Sequence, residues 1–144
     1  MTDGRLAELL ERIVLAGVGL TARALAEAAP GVELTFPQWR VLLVLGEQED
    51  GATVSEVASR IGVTVPATSR QLRRLARRGL VDVGPDQYDR RAARARLTDA
   101  GEETREAILA YRSRRIGEQA AELRIPRATL EDLAKIADAF DMYR

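Results

Sequence analysis

The chain has 144 residues, 46% of them apolar and 31% charged, with 22 basic side chains balanced by 22 acidic ones. That composition belongs to a soluble folded protein of one domain rather than to a disordered chain. It contains no Cys and no His, which excludes disulfides, thiolate redox sensing, histidine general bases and ordinary zinc sites.

No acidic loop of the EF-hand kind appears either, so neither a metal nor a cofactor is expected. The longest uncharged run, Ile13 to Ala22, is too short to cross a bilayer. The first residues lack the basic-then-apolar order of a signal peptide. A cytoplasmic protein with no membrane partner is expected.

From Arg5 to about Ala28, Leu6, Leu9, Ile13, Gly17, Leu20 and Ala24 recur at three- and four-residue steps, which predicts a long amphipathic helix. Pro30 and Gly31 end it. Thr35-Phe-Pro-Gln38 has the form of a capping box, and it opens a second, strongly apolar helix carrying Phe36, Trp39, Leu42, Leu43 and Leu45, expected to close near Glu49-Asp50-Gly51. Thr53-Val-Ser-Glu56 is a second capping box, before a short third helix with Val57, Ala58 and Ile61.

Gly62-Val63 reads as a turn. Thr64 can then cap a fourth helix, with Pro66 tolerated in its first turn and Gly79 as its stop. On that helix Thr68, Leu72, Leu75 and Ala76 share one face, while Ala67, Arg70, Gln71, Arg74 and Arg78 share another. Leu80 to Val83 and Ala93 to Leu97 read as two short strands around a polar loop, Gly84 to Arg91. Thr98 caps a fifth helix running to about Leu123. After Pro126 a sixth carries Leu130, Leu133, Ile136, Ala137 and Phe140 on one face.

The zero net charge conceals a strong asymmetry. Residues 1–59 hold four Arg against nine Asp/Glu, whereas residues 60–96 hold ten Arg against Asp82, Asp86 and Asp89. Salt screens distant acids within roughly 8–10 Å, so the arginine-rich stretch presents a locally positive surface whatever the total. Helix, glycine turn, helix and two-stranded ribbon is the order of a winged helix-turn-helix. The fold class expected is therefore mainly α with a small β-wing (α+β), flanked by N- and C-terminal helices. In that geometry the fourth helix enters the major groove of double-stranded DNA, with Thr64, Pro66, Ala67 and Thr68 near base edges and Arg70, Gln71 and Arg74 further along. Arg73 and Arg77 are expected to face solvent or the DNA backbone. The loop between the strands can place an arginine in the minor groove. A solvated arginine face is the plainer reading of the helix alone; helix, turn and basic loop together favour DNA.

At the loop the sequence resembles a known family. Asp89-Arg-Arg91, five residues and Leu97-Thr98 match the D-x-R-(x5)-L-T signature of the MarR (multiple antibiotic resistance regulator) family. Val54 to Gly62, Leu72 to Val81 and Leu34 to Leu42 resemble the same family's neighbouring elements. The resemblance implies a homodimer, with residues 5–31 and 99–144 as dimerisation helices and 35–98 as the DNA-binding region. It also implies repression or activation at pseudo-palindromic operators, often relieved by a small aromatic or lipophilic effector. By the signature Arg91 is the wing-tip residue, oriented through an ion pair with Asp89 and flanked by Arg90. Two positions depart from the family's usual pattern. An arginine is common where this chain has Val83-Gly84, so one backbone contact is expected to be missing. Tyr88 replaces a smaller residue, either stacking on a sugar or packing against the wing, with packing preferred.

Arg12, Phe36 and Trp39 are the candidate effector residues; the competing assignment, preferred for Phe36 and Trp39, is plain core packing. The apolar stripes of the first and last helices suit a dimer core better than closure of one subunit. The alternative function is a winged helix for protein contact or non-specific DNA binding, without effector response. No nucleophile–base pair can be assembled from the Ser, Lys and carboxylates present in any recognisable motif, so catalytic residues are not expected and the chain is not read as an enzyme.

Overall fold

A computed structural model describes residues 2–143. Six helices and three strands follow in the order α1 (Thr2–Glu27), α2 (Phe36–Gly46), β1 (Ala52–Thr53), α3 (Val54–Ile61), α4 (Val65–Arg77), β2 (Val81–Pro85), β3 (Ala93–Leu97), α5 (Asp99–Ala120) and α6 (Arg127–Phe140), closed by a 3₁₀ turn at Asp141–Tyr143. The mainly helical fold with a small antiparallel sheet matches the sequence expectation.

Local chemistry sets most boundaries. Both capping boxes form: Thr35 Oγ1 accepts from the Gln38 N–H while Gln38 Oε1 accepts from the Thr35 N–H, and Thr53 and Glu56 repeat the exchange at α3. Thr64 and Thr98 cap α4 and α5 without the reciprocal bond, their hydroxyls accepting the Ala67 and Gly101 N–H groups. Gly62 takes φ +70° at the end of α3, and Arg40 reaches across from α2 to donate to the Ile61 carbonyl at 2.6 Å. That guanidinium satisfies a carbonyl the helix leaves open and complements its negative end.

Helix α2 stops at Gly46, earlier than the expected Gly51. The Gly51 N–H donates to the Gln48 carbonyl at 3.0 Å, and Gly51 adopts φ +72°, so residues 47–51 form a tight turn instead of another helical turn. That turn delivers β1, a strand too short to show an alternating pattern. It pairs Ala52 with Ala95 and Thr53 with Arg94, making a three-stranded antiparallel sheet in the order β1-β3-β2. β2 runs on through Pro85, two residues beyond the expected Val83, which an edge strand tolerates because no ladder donor is required there.

The core lies where α2 is enclosed by the other elements. Trp39, Leu42 and Leu45 meet Val57 and Ile61 of α3, Leu72 and Leu75 of α4, Val81 and Ala95 of the sheet and Ile108 of α5. Trp39 is 1% exposed; burying an indole stabilises the fold by about 4–6 kcal/mol at most. Gly101, at the start of α5, sits against the Leu80 carbonyl, where a Cβ would collide. Thr98 ties the same corner, donating from its hydroxyl to the Gly79 carbonyl at 2.6 Å. The stop of α4 is thereby fastened to the start of α5.

The outer helices look different. α6 buries none of its residues and exposes Leu130, Leu133 and Phe140, while α1 exposes Leu6, Leu9, Ile13, Val14 and Val18. Apolar faces of this extent lie outside the monomer's own core.

Candidate nucleic-acid interface

Helix α4 turns Thr68, Leu72 and Leu75 into the core. At 100° per residue the line directly opposite them carries Pro66, Arg70, Arg73 and Arg77, with Arg74 beside it; all five are exposed. Arg73 and Arg77 thus share the outward face with Arg70.

Two expected base-reading residues, Thr68 and Gln71, are placed differently from the sequence reading, while Thr64 caps α4 as expected. Thr68 is 0% exposed and its hydroxyl donates to the Thr64 carbonyl at 3.0 Å, so it is a core residue and cannot reach a base edge. The Thr64 hydroxyl is engaged in accepting the Ala67 N–H at 3.3 Å. Gln71 is half-buried, and its carbonyl oxygen is turned inward without a hydrogen-bond partner among the described residues. Periodicity had grouped Gln71 with the arginines, but it lies nearer Leu72 and Leu75 on the helical wheel than Arg70 does.

The wing is built around a carboxylate that the sequence reading passed over. Asp86 is 4% exposed. Its Oδ2 accepts the backbone N–H groups of Tyr88 and Asp89, at 3.1 and 2.9 Å, and its Oδ1 accepts from Nε of Arg94. Arg94 also donates through Nη1 to the Gly51 carbonyl at 2.9 Å. The loop is therefore anchored to β3 and to the turn preceding β1. The hydrogen bond from Arg94, reinforced by the Asp89 N–H, holds the Asp86 carboxyl below its usual range, against the opposing effect of burial; Asp86 in turn raises Arg94. Asx-type bonding from an Asp to the N–H groups two and three residues on was the available sequence signal. Its arginine partner lies eight residues later on β3, beyond the reach of local turn spacing.

Asp89 does not ion-pair with Arg91, contrary to the expectation from the signature. Its Oδ1 accepts the Arg91 backbone N–H at 2.9 Å, which fixes the turn and leaves the guanidinium free. Tyr88 is 86% exposed, so it does not pack against the wing. Its ring is presented to solvent at the tip.

The ten arginines between Arg60 and Arg96 fall into two sets. Arg94 and Arg96 are structural, the latter donating to the Asp50 carbonyl at 2.9 Å, and Arg60 pairs with Glu47 at 2.6 Å. Arg78 reaches Gln38 at 3.5 Å. Arg70, Arg73, Arg74, Arg77, Arg90 and Arg91 are exposed, with no ion pair or side-chain hydrogen bond among the described residues. These six cations lie on the outward side of α4 and at the wing, where a phosphate backbone would meet them.

The candidate effector residues are not brought together. Trp39 is core, as the competing assignment held. Arg12 is exposed on α1, about 20 Å along the helix from Leu25. Phe36 does line an open groove of about 870 Å³, with Leu25, Ala29, Val32, Leu34 and Arg78. Among the described residues no cluster of three or more acidic side chains could hold a metal ion, and no helix is long and apolar enough to cross a membrane.

A buried α2, a helix pair joined by Gly62, and a carboxylate-anchored ribbon beside an arginine-faced helix define a winged helix-turn-helix protein. Residues 32–92 match the MarR family model. Across 70 residues, 49% of this chain, it is 30% identical to the HTH-type transcriptional repressor IacR of Pseudomonas putida. The match spans 41% of that relative's length. The fold superposes on RV1404 of Mycobacterium tuberculosis with a TM-score of 0.82 at 22% identity, covering 96% of this chain and 94% of that one. It superposes on Staphylococcus aureus MarR in complex with salicylate and kanamycin with a TM-score of 0.79 at 18% identity, covering 97% and 90%. The likeness to the MarR family is carried by the winged-helix region at residues 32–92.

Proposed function

We propose that this protein is a sequence-specific transcription regulator that binds double-stranded DNA as a homodimer on a pseudo-palindromic operator and acts as a repressor in the cytoplasm. The observation that carries the reading is the set of six unpaired arginines on the outward side of α4 and at the wing. Residues 35–98 form the DNA-binding region. Residues 5–31 and 99–144 supply the dimer contacts through the apolar faces of α1 and α6. One winged module offers few base contacts against roughly 10⁶–10⁹ non-specific genomic sites, which is a physical reason for pairing two modules. Repression is favoured by the similarity to IacR, itself named a repressor.

The groove beside Phe36 is the candidate effector site, with an apolar wall suited to a small aromatic or lipophilic molecule and Arg78 at its rim for a carboxylate. No catalytic role is assigned.

Salt titration of binding to a selected site and to random duplex tests the regulator reading. A specific site should bind at least about 10³-fold more tightly than random DNA at physiological salt, with both affinities falling as salt rises. Equal affinities at every salt concentration would leave only a non-specific or protein-contact module.

A further inference from the structure

The end of α4 that would enter the major groove is apolar. Val63 and Val65 are 43% and 46% exposed, and Pro66 is exposed beside them. Three polar side chains nearby have an oxygen already engaged or turned inward. The Thr64 hydroxyl accepts the Ala67 N–H, the buried Thr68 hydroxyl donates to the Thr64 carbonyl, and the Gln71 carbonyl oxygen faces inward. Arg70 is the first long polar side chain on the outward face, one turn further on.

We propose that this apolar edge, Val63, Val65 and Pro66, reads the C5-methyl groups of thymines in the major groove. The inference rests on the DNA-binding reading above. The occupant is set by what surrounds the edge: Arg70, Arg73, Arg74 and Arg77 continue along the same helix and complement a polyanion.

Among the base pairs, only those containing thymine present an apolar group in the major groove; the other edges there are donors and acceptors. A valine pressed against a cytosine or adenine amino group, or a guanine oxygen, would strip that atom of water and return no hydrogen bond. Against a thymine methyl the same contact is favourable. The edge therefore discriminates by desolvation, and Arg70 is positioned to fork onto a guanine neighbouring those thymines.

The test uses the full chain. A bound site is first selected in vitro from random duplexes. Each thymine of that site is then replaced singly by deoxyuridine, which removes only the C5-methyl, and affinities are read by fluorescence anisotropy. One or two positions in each half-site should lose about fourfold in affinity, the worth of one buried methyl-sized group. Val65→Ser should bind thymine DNA about as weakly as the wild type binds the uracil form, and should be indifferent to the swap at that position. Val65 is exposed, so the variant should unfold at the wild-type temperature. Thymine and uracil forms of a selected site bound equally at every position would overturn this inference and leave the regulator reading standing. Failure to select any site would overturn both.

Discussion

Asp86 and Arg94 grip each other across the base of the wing, and both reach further: Asp86 to the N–H groups of Tyr88 and Asp89, Arg94 to the carbonyl of Gly51. One ion pair thus joins the wing loop, the central strand and the turn before α3. A loop held in this way loses less conformational freedom on meeting DNA than a free one.

Asp86→Ala releases that loop. Its outward arginines remain, so binding should weaken without disappearing, by about three- to tenfold, the cost of ordering about one long side chain that the native protein holds in advance. Affinity for the selected site and hydrogen exchange of the Tyr88 and Asp89 amides report it together. Loss of affinity with unchanged exchange would separate Asp86 from wing order.

The same pair gives the wing an acid limit. Because the folded protein holds the Asp86 carboxyl below its ordinary value, this group contributes stability that is complete above the unfolded-chain value of about 4. The contribution is lost as pH falls through the lower folded value. With no histidine in the chain, no side chain with an ordinary pKa titrates between about pH 5 and 8. The difference in urea stability between wild type and Asp86→Ala should be constant over that range and shrink below about pH 4. A difference that grew on acidification would reverse the assignment.

Gly51 stands at φ +72°, and a Cβ there would strike the Ala95 carbonyl. Gly51→Ala therefore combines left-handed strain with a backbone clash at the β1–β3 junction, and it should lower stability by at least about 2 kcal/mol. Thermal unfolding measures this. Gly117→Ala, where nothing beyond the local helix backbone lies within 4 Å of the added carbon, serves as the tolerated counterpart.

What was legible in the sequence followed from local chemistry. The two capping boxes, the Gly62 turn and the period of α1 and α6 each depend on residues within a few positions of one another. What was not legible depended on partners far apart in the chain. β1 has two residues and exists only because β3 lies beside it. The role of Arg94 was not legible because its acceptors, Asp86 and Gly51, lie 8 and 43 positions away. The signature pointed to Asp89 as the carboxylate that steadies the wing. Buried Asp86 does that, and Asp89 shapes only the turn. The effector trio failed for a related reason: helical spacing does not distinguish Trp39 in a core from Trp39 in a pocket.

The apolar stripe of α1 offers a separate check on assembly. Ile13 is 61% exposed in the monomer, so Ile13→Asp should leave the isolated fold nearly unchanged, within about 0.5 kcal/mol for an exposed site. In a dimer sealed by that face, a buried carboxylate without a partner is strongly unfavourable. Sedimentation should show a dimer for wild type and a monomer for the variant. An unchanged dimer would place the interface elsewhere.

Arg91 tests the wing directly. Its backbone is fixed by Asp89 while its guanidinium is exposed and unpaired among the described residues, so Arg91→Ala takes a cation away from the DNA without disturbing the fold. If the side chain enters the minor groove beside each half-site, the variant should bind about 5- to 150-fold more weakly, as expected for one direct base interaction worth about 1–3 kcal/mol. Its preference for A·T at the flanking positions should also flatten, because a narrow A·T groove attracts arginine most strongly. If Arg91 meets only phosphate, the loss should be uniform across sequences, and the salt slope should fall by about 0.9 for each phosphate no longer neutralised. Arg112 on α5 makes a poor control, because it is half-buried and desolvation lowers its pKa. Arg127, with its side chain 93% exposed on α6, removes the same charge far from the wing. Equal losses from Arg91→Ala and Arg127→Ala would mean that binding follows total charge and that the wing is not at the DNA.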